Sequence, residues 1–337
     1  MHHDNEPVTL ATIAEAVGVH VSTVSRVLRS QTPRTDAALR IVQTARDLGY
    51  TPHQAAASLR TRNSKFVGVL LPRLTDYVPA RIYEGVDDAA VRAGYATVIA
   101  KSGDDPSRRL DRLEALLALR VDGVIVCDAR MRGDQVVEEL KRRGVPFVLA
   151  SRRARGQVSA TTNDLRGGAL AAEHLAVLGH ERIGVVAGPQ YLSTGFERLQ
   201  GFVSELKKRD ISLPDRLVVP SDFDVNAALV SARHLLSLDA GLTAVFAAND
   251  EAAVGVMGAL REHGLRVGAD VAVVGYNDLP SSAYLPVPLT SVSSPMYEVG
   301  KAAAELLIRK LHGNDQVKSV RLAPHLVARQ STQRTGA

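Results

Sequence analysis

The chain is 337 residues long, 45% hydrophobic and 23% charged, with a formal net charge of +5. That composition describes a folded globular protein of two or three domains and excludes a disordered one. A single cysteine, Cys127, excludes an internal disulfide framework; the lack of any apolar run of about 18 residues and the polar start MHHDNEP argue for a cytoplasmic protein without a membrane span.

The first patterned stretch runs from Thr9 to Arg29. Leu10, Ile13, Ala14 and Val17 recur at helical spacing, Gly18 closes the set, and Val21, Val24, Val27 and Leu28 form a second one. Ala14 is small where two steeply crossing helices bring their backbones together, and Gly18 can take the positive φ that so short a turn demands. With Val24 and Val27 turned back onto the first helix, Val21, Ser22, Thr23, Ser25, Arg26 and Arg29 are expected to face outward. Such a face suits a DNA major groove, where Arg26 matches guanine O6 and N7 and Val21 and Ser22 meet base edges. Thr9, Thr23, Ser25 and Arg29 are placed for phosphates. The same residues fit a helical hairpin with a solvated polar face. The absence of acids between Glu15 and Asp36, against Arg26, Arg29 and Arg34, favours DNA.

After the loop SQTPRTD a third helix is predicted through Leu39, Ile41, Val42, Ala45 and Leu48, ending at Gly49. No acid occurs from Leu48 to Thr75, while Arg60, Arg62, Lys65 and Arg73 do. Within this stretch HQAAASLRTRNS is long enough only for a brief helix that would not persist alone in water. Its one large apolar side chain, Leu59, fits either a wedge in a minor-groove base step, with arginines on phosphates, or a solvated linker resting on the next domain.

From Phe66 the pattern becomes short β-branched runs alternating with amphipathic stretches. Strands are predicted at 66–72, 96–100, 122–128, 145–151, 182–188, 216–220, 243–248, 271–276 and 289–294. Alternation of this kind gives parallel sheets covered by helices on both faces. KFVGVLLP near 65 echoes ERIGVVAGP near 181, so two similar α/β lobes are expected, the second starting near Asp164. Residues just after the strands then line a cleft between them: Arg73 to Tyr77, Asp128, Ser151, Arg152, Asn249, Asp250, Asn277 and Asp278. Their mix of donors and acceptors suits a sugar. No P-loop, dinucleotide glycine fingerprint, G-x-S-x-G elbow or histidine pair at metal spacing is present, so neither catalysis nor a cofactor or metal is expected.

VTLATIAEAVGV followed by STVSRVL, then ARDLGYTPHQAAASLRTR, VGVLLP, LAVLGHERIGVVAGP, ERLQGF, FAANDEAAVG, VAVVGYND and PLTSVSSPMYEVGKAAAELL come in an order that resembles the LacI/GalR family of bacterial transcriptional repressors. The likeness covers nearly the whole chain. It implies an all-α helix-turn-helix headpiece (1–51), a hinge helix (52–63) and a periplasmic-binding-protein-like core of two doubly wound parallel-sheet lobes. These lobes are 64–163 with 294–323, and 164–293 with 324–337. The resemblance implies base reading by Val21, Ser22 and Arg26, a minor-groove wedge at Leu59 and a phosphate contact from Arg60. It further implies effector contacts from Arg152, Arg198, Asn249, Asp250 and Asp278, to which the after-strand positions add Tyr77 and Asn277, and a homodimer on a near-palindromic operator, gated by a sugar-like or, alternatively, purine effector.

Departures from the family pattern also stand out. His20 replaces the serine that usually caps the second helix, so that cap is expected to weaken by about 1 kcal/mol or be replaced by another contact. Ala57 sits where an arginine is common. Asn277 replaces the first aspartate of the usual GYDD and can donate as well as accept.

Overall fold

The computed structural model describes residues 8–29, 35–50, 63–103, 105–314 and 316–333. The chain divides into two compact units, Met1–Ser64 and Lys65–Ala337.

The first unit holds α1 (Leu10–Val17), α2 (Val21–Arg29) and α3 (Asp36–Asp47). Thr9 opens α1 through a reciprocal box: its Oγ1 accepts from the Thr12 amide, and its own amide donates to Thr12 Oγ1. Gly18 ends α1 at φ +70°, the left-handed conformation that the sequence required of it. Thr35 caps α3 by accepting from the Ala38 amide. The small core is Ile13, Ala14, Val24, Ile41 and Ala45, with Val27, Leu28 and Tyr50 against it. The buried stripe of α3 therefore runs through Ala38, Ile41 and Ala45. Leu39 and Leu48, predicted to share that face, are exposed.

The second unit contains two six-stranded sheets. The first is ordered β11-β5-β4-β3-β1-β2 and the second β12-β10-β9-β8-β6-β7. In the first sheet β1 (Phe66–Leu71) pairs with β2 (Ala96–Lys101) and β3 (Gly123–Val126), followed by β4 (Phe147–Ala150), β5 (Ser159–Thr162) and β11 (Val320–Leu322). In the second, β6 (Ile183–Ala187) lies between β7 (Val218–Pro220) and β8 (Ala244–Ala247), and β9 (Ala272–Asn277) and β10 (Thr290–Ser293) continue the sheet. All described pairings are parallel except β10 with β12 (His325–Val327). The central strands are apolar throughout and buried on both faces, as parallel strands between helices must be. The predicted strand at 216–220 begins later, because Asp215–Leu217 form a turn of 3-10 helix.

In each sheet's flank a pair of helices meets at a glycine from either partner. A Cβ on Gly85 of α4 (Tyr77–Arg92) would lie 2.0 Å from the Tyr297 carbonyl, and one on Gly300 of α11 (Met296–Leu311) 1.8 Å from that of Ile82. In the other flank, a Cβ on Gly168 of α7 (Asp164–Val177) or on Gly201 of α8 (Ser193–Lys208) would lie 2.0 Å from a carbonyl across the contact, that of Arg198 or Leu165 respectively. Hydrogen alone fits at these crossings.

Candidate functional sites: a helix face and a cleft

On α2 the outward face consists of Val21, Ser22 and Arg26, all exposed. Two residues assigned to that face lie elsewhere. Ser25 is only 8% exposed and Thr23 is half-buried, because α2 packs against both α1 and α3 and so hides a wider arc than one partner helix would. Thr9 Oγ1 is engaged in the α1 cap. Arg29 ends α2, and Leu59 and Arg60 lie outside the described residues. The serine cap lost at position 20 is replaced by the imidazole: His20 Nδ1 accepts from the Ser22 amide at 3.3 Å and lies 2.8 Å from Ser22 Oγ.

A cavity of about 290 Å³ opens between the carboxyl ends of the two sheets. From the first sheet it receives Arg73 and Asp76 after β1, Cys127 after β3, and Ser151 and Arg152 after β4. The second sheet contributes Tyr191 and Thr194 after β6, Asp222 and Phe223 after β7, Asn249 and Glu251 after β8, and Asn277 and Leu279 around the end of β9. Arg198 projects into it from α8.

Arg198 is the most constrained of these. Its Nε donates to Asp164 at 2.8 Å, Nη1 to the Ala248 carbonyl at 2.7 Å and Nη2 to Asn277 Oδ1 at 3.3 Å. The guanidinium also stacks 3.7 Å from the Tyr276 ring centre. Because Asn277 accepts from Arg198 through Oδ1, its amide nitrogen is left to donate. Asn249 caps α10 (Asp250–Glu262) by accepting from the Ala252 amide at 2.8 Å, and its Nδ2 donates to the Phe223 carbonyl at 3.3 Å. Glu251 is half-buried at the mouth; burial, and then the charge of Asp76, push its carboxyl above the usual range. Burial likewise pushes the Cys127 thiol up, consistent with a core role.

Arg152, Arg198, Asn249 and Asn277 thus come together as expected, with Arg73, Asp76 and Ser151, while Leu74, Thr75 and four further predicted cleft residues do not. Asp250 turns inward, accepting from the Leu279 amide, Ser282 Oγ and Ser291 Oγ. Asp278 is paired with Arg329 at 2.7 Å. Asp128 is held by Arg109 at 2.9 Å, and Tyr77 is exposed on the first turn of α4, outside the cavity wall. The cavity also draws on Asp222, Phe223, Tyr191, Thr194 and Glu251, which are not among the residues expected from the sequence. Most follow strands that the sequence did reveal, so the after-strand rule that selected Arg152 also reaches them.

The lobes are tied across the cleft by α8 itself. Glu197, one residue before Arg198, pairs with Arg153, and with Arg321 of β11 at 3.6 Å; Ser193 Oγ accepts from the Arg153 amide at 2.9 Å. Met131 donates its amide to the Tyr191 carbonyl at 3.2 Å.

A helix-turn-helix unit and a two-lobed core with a polar cleft define a ligand-responsive transcription regulator. Residues 172–332 match the periplasmic binding protein-like domain. The ribose operon repressor of Escherichia coli (strain K12) is 31% identical over 96% of this chain and 99% of its own. The lac repressor dimer bound to operator and the anti-inducer ONPF superposes with a TM-score of 0.87 at 28% identity, covering 97% of this chain and all of that one. The transcriptional regulator CelR in complex with cellobiose is 30% identical, with a TM-score of 0.74 over 96% of this chain and 99% of its own. The chain belongs to the LacI/GalR family of transcriptional regulators. It is a DNA-binding repressor gated by a small molecule rather than an enzyme. No helix among the described residues is long and apolar enough to cross a membrane.

Proposed function

We infer that the protein acts in the cytoplasm as a homodimer, with two headpieces (1–51) on a near-palindromic operator. Val21, Ser22 and Arg26 read bases and Arg29 contacts phosphate; in the hinge (52–63), Leu59 wedges a base step with Arg60 on the backbone. The effector is a sugar or sugar-like molecule held by Arg152, Arg198, Asn249 and Asn277. What carries this reading is the arrangement around Arg198. A buried guanidinium with fixed partners orients an amide donor into a cavity whose walls mix polar groups with Phe223, Tyr191 and Leu279, the balance that sugar hydroxyls and ring faces need. Effector binding favours one arrangement of the lobes and so biases the hinge, with a coupling of about 1–3 kcal/mol.

Two measurements test it. Calorimetry of the full chain against a panel of sugars and nucleosides should find a sugar that binds and changes operator affinity; heat only from nucleosides would replace the sugar with a purine. Arg26→Ala should weaken specific binding by about 1–3 kcal/mol and relax one base pair per half-site. An unchanged preference would remove Arg26 from the readout.

A further inference from the structure

His20 occupies the position from which a hydroxyl or carboxylate side chain ordinarily caps a helix. Its Nδ1 receives the Ser22 amide at 3.3 Å. An amide N–H can only donate, so Nδ1 must be the acceptor and the neutral ring carries its proton on Nε2. This also fixes the serine hydroxyl. At 2.8 Å from the same nitrogen, Ser22 Oγ–H points its proton at the ring and shows outward only its oxygen lone pairs. No acid lies in the first turn of α2 to compete for that proton.

A solitary serine rotates its hydroxyl and can donate or accept, so it discriminates poorly among base edges. Here that freedom is gone. We propose that His20 is a positioning residue for sequence readout: it makes Ser22 an obligate acceptor, so that the base facing Ser22 must offer an exocyclic amino group. Adenine N6 and cytosine N4 do so in the major groove, whereas guanine O6 and N7 and thymine O4 are acceptors that meet the serine lone pairs unfavourably. The proposal rests on the reading that Ser22 meets a base edge.

The test is selection of binding sites from operators randomised in the half-site, using the full-length wild type, Ser22→Ala, His20→Ala and His20→Asn. The wild type should prefer adenine or cytosine at one position by about tenfold, the scale of one well-placed hydrogen bond. Ser22→Ala and His20→Ala should both reduce that preference to about twofold or less at the same position, leaving the Arg26 position sharp. In His20→Asn, Oδ1 can accept from the same two donors, so the preference should return. Selection of guanine or thymine by the wild type would overturn the proposal. So would a His20→Ala variant that loses affinity evenly for all sequences while keeping its preference, since that marks a helix cap and nothing more. An unchanged preference in Ser22→Ala would instead remove the underlying assignment of Ser22 to a base.

Discussion

The two lobes follow one plan and use it differently. Each has the same strand order, and in each a helix pair crosses at two glycines. Each also buries an arginine near the carboxyl ends of its strands. In the first lobe Arg109 donates to Asp128 at 2.9 Å and to Asp134 at 2.8 Å, and Asp134 in turn accepts from the Arg130 and Val137 amides. That network is closed and fastens the loop after β3. In the second lobe Arg198 has equally firm partners but stands on the cavity wall, where Asn277 carries its order to the open space. A buried arginine is thus a fastener or a site depending on whether one of its partners faces open space.

The shared part of the plan can be broken hardest. Gly300→Val and Gly168→Val each drive methyl groups into a backbone carbonyl, and both should destabilise by about 3 kcal/mol or more in chemical denaturation. A large loss in one lobe and none in the other would end the claim of equivalence.

The divergent part is sharpened by the two arginines. Arg109→Met strands two buried acids and should cost about 3–5 kcal/mol of stability while sugar affinity in the folded protein holds within a few-fold. Arg198→Met should also cost stability, and in addition weaken sugar binding roughly 10- to 100-fold by calorimetry, with operator affinity largely kept. Equal ligand losses in the two variants would show that Arg109 is part of the site.

Asn277→Asp should act more gently, since the carboxylate keeps the Arg198 bond but cannot donate; sugar affinity should fall about tenfold with little change in melting temperature. The smallest effect is expected at Glu251. The folded chain holds its proton more tightly than the unfolded chain does, so the ionised group lowers stability at neutral pH, and this penalty fades as pH falls through the folded value. Glu251→Gln should therefore raise the melting temperature at pH 7 by about 1–2 °C and gain nothing in acid.

Much of this was legible in the sequence because its signals are local. The Gly18 turn, the apolar stripes of α1 and α2 and the central strands all follow from spacing. β5 is not legible because SATT carries no apolar run: it pairs with β4 and with β11 and packs against α11, and the last two lie more than 130 residues away in sequence. β11 and β12 are three residues each, too short for a period to register. The after-strand rule brought Arg152, Asn249 and Asn277 to the cleft, but it could not tell which acids would turn inward. Asp250 was lost to Ser282 and Ser291, which join its carboxylate only through tertiary structure. His20 showed the reverse. It looked like a missing cap, and only the folded geometry revealed an imidazole doing that job.

The path of the chain between the sheets has a consequence for how the molecule is made. It leaves the first sheet after β5, returns to that side with α11 and β11, and ends in the second with β12. Neither lobe is a continuous piece of gene. A ribosome that has reached Ser293 has synthesised two unfinished halves, one lacking an edge strand and its glycine-matched helix, the other lacking its last strand. Both are completed by the same closing segment, so truncation there should spare neither.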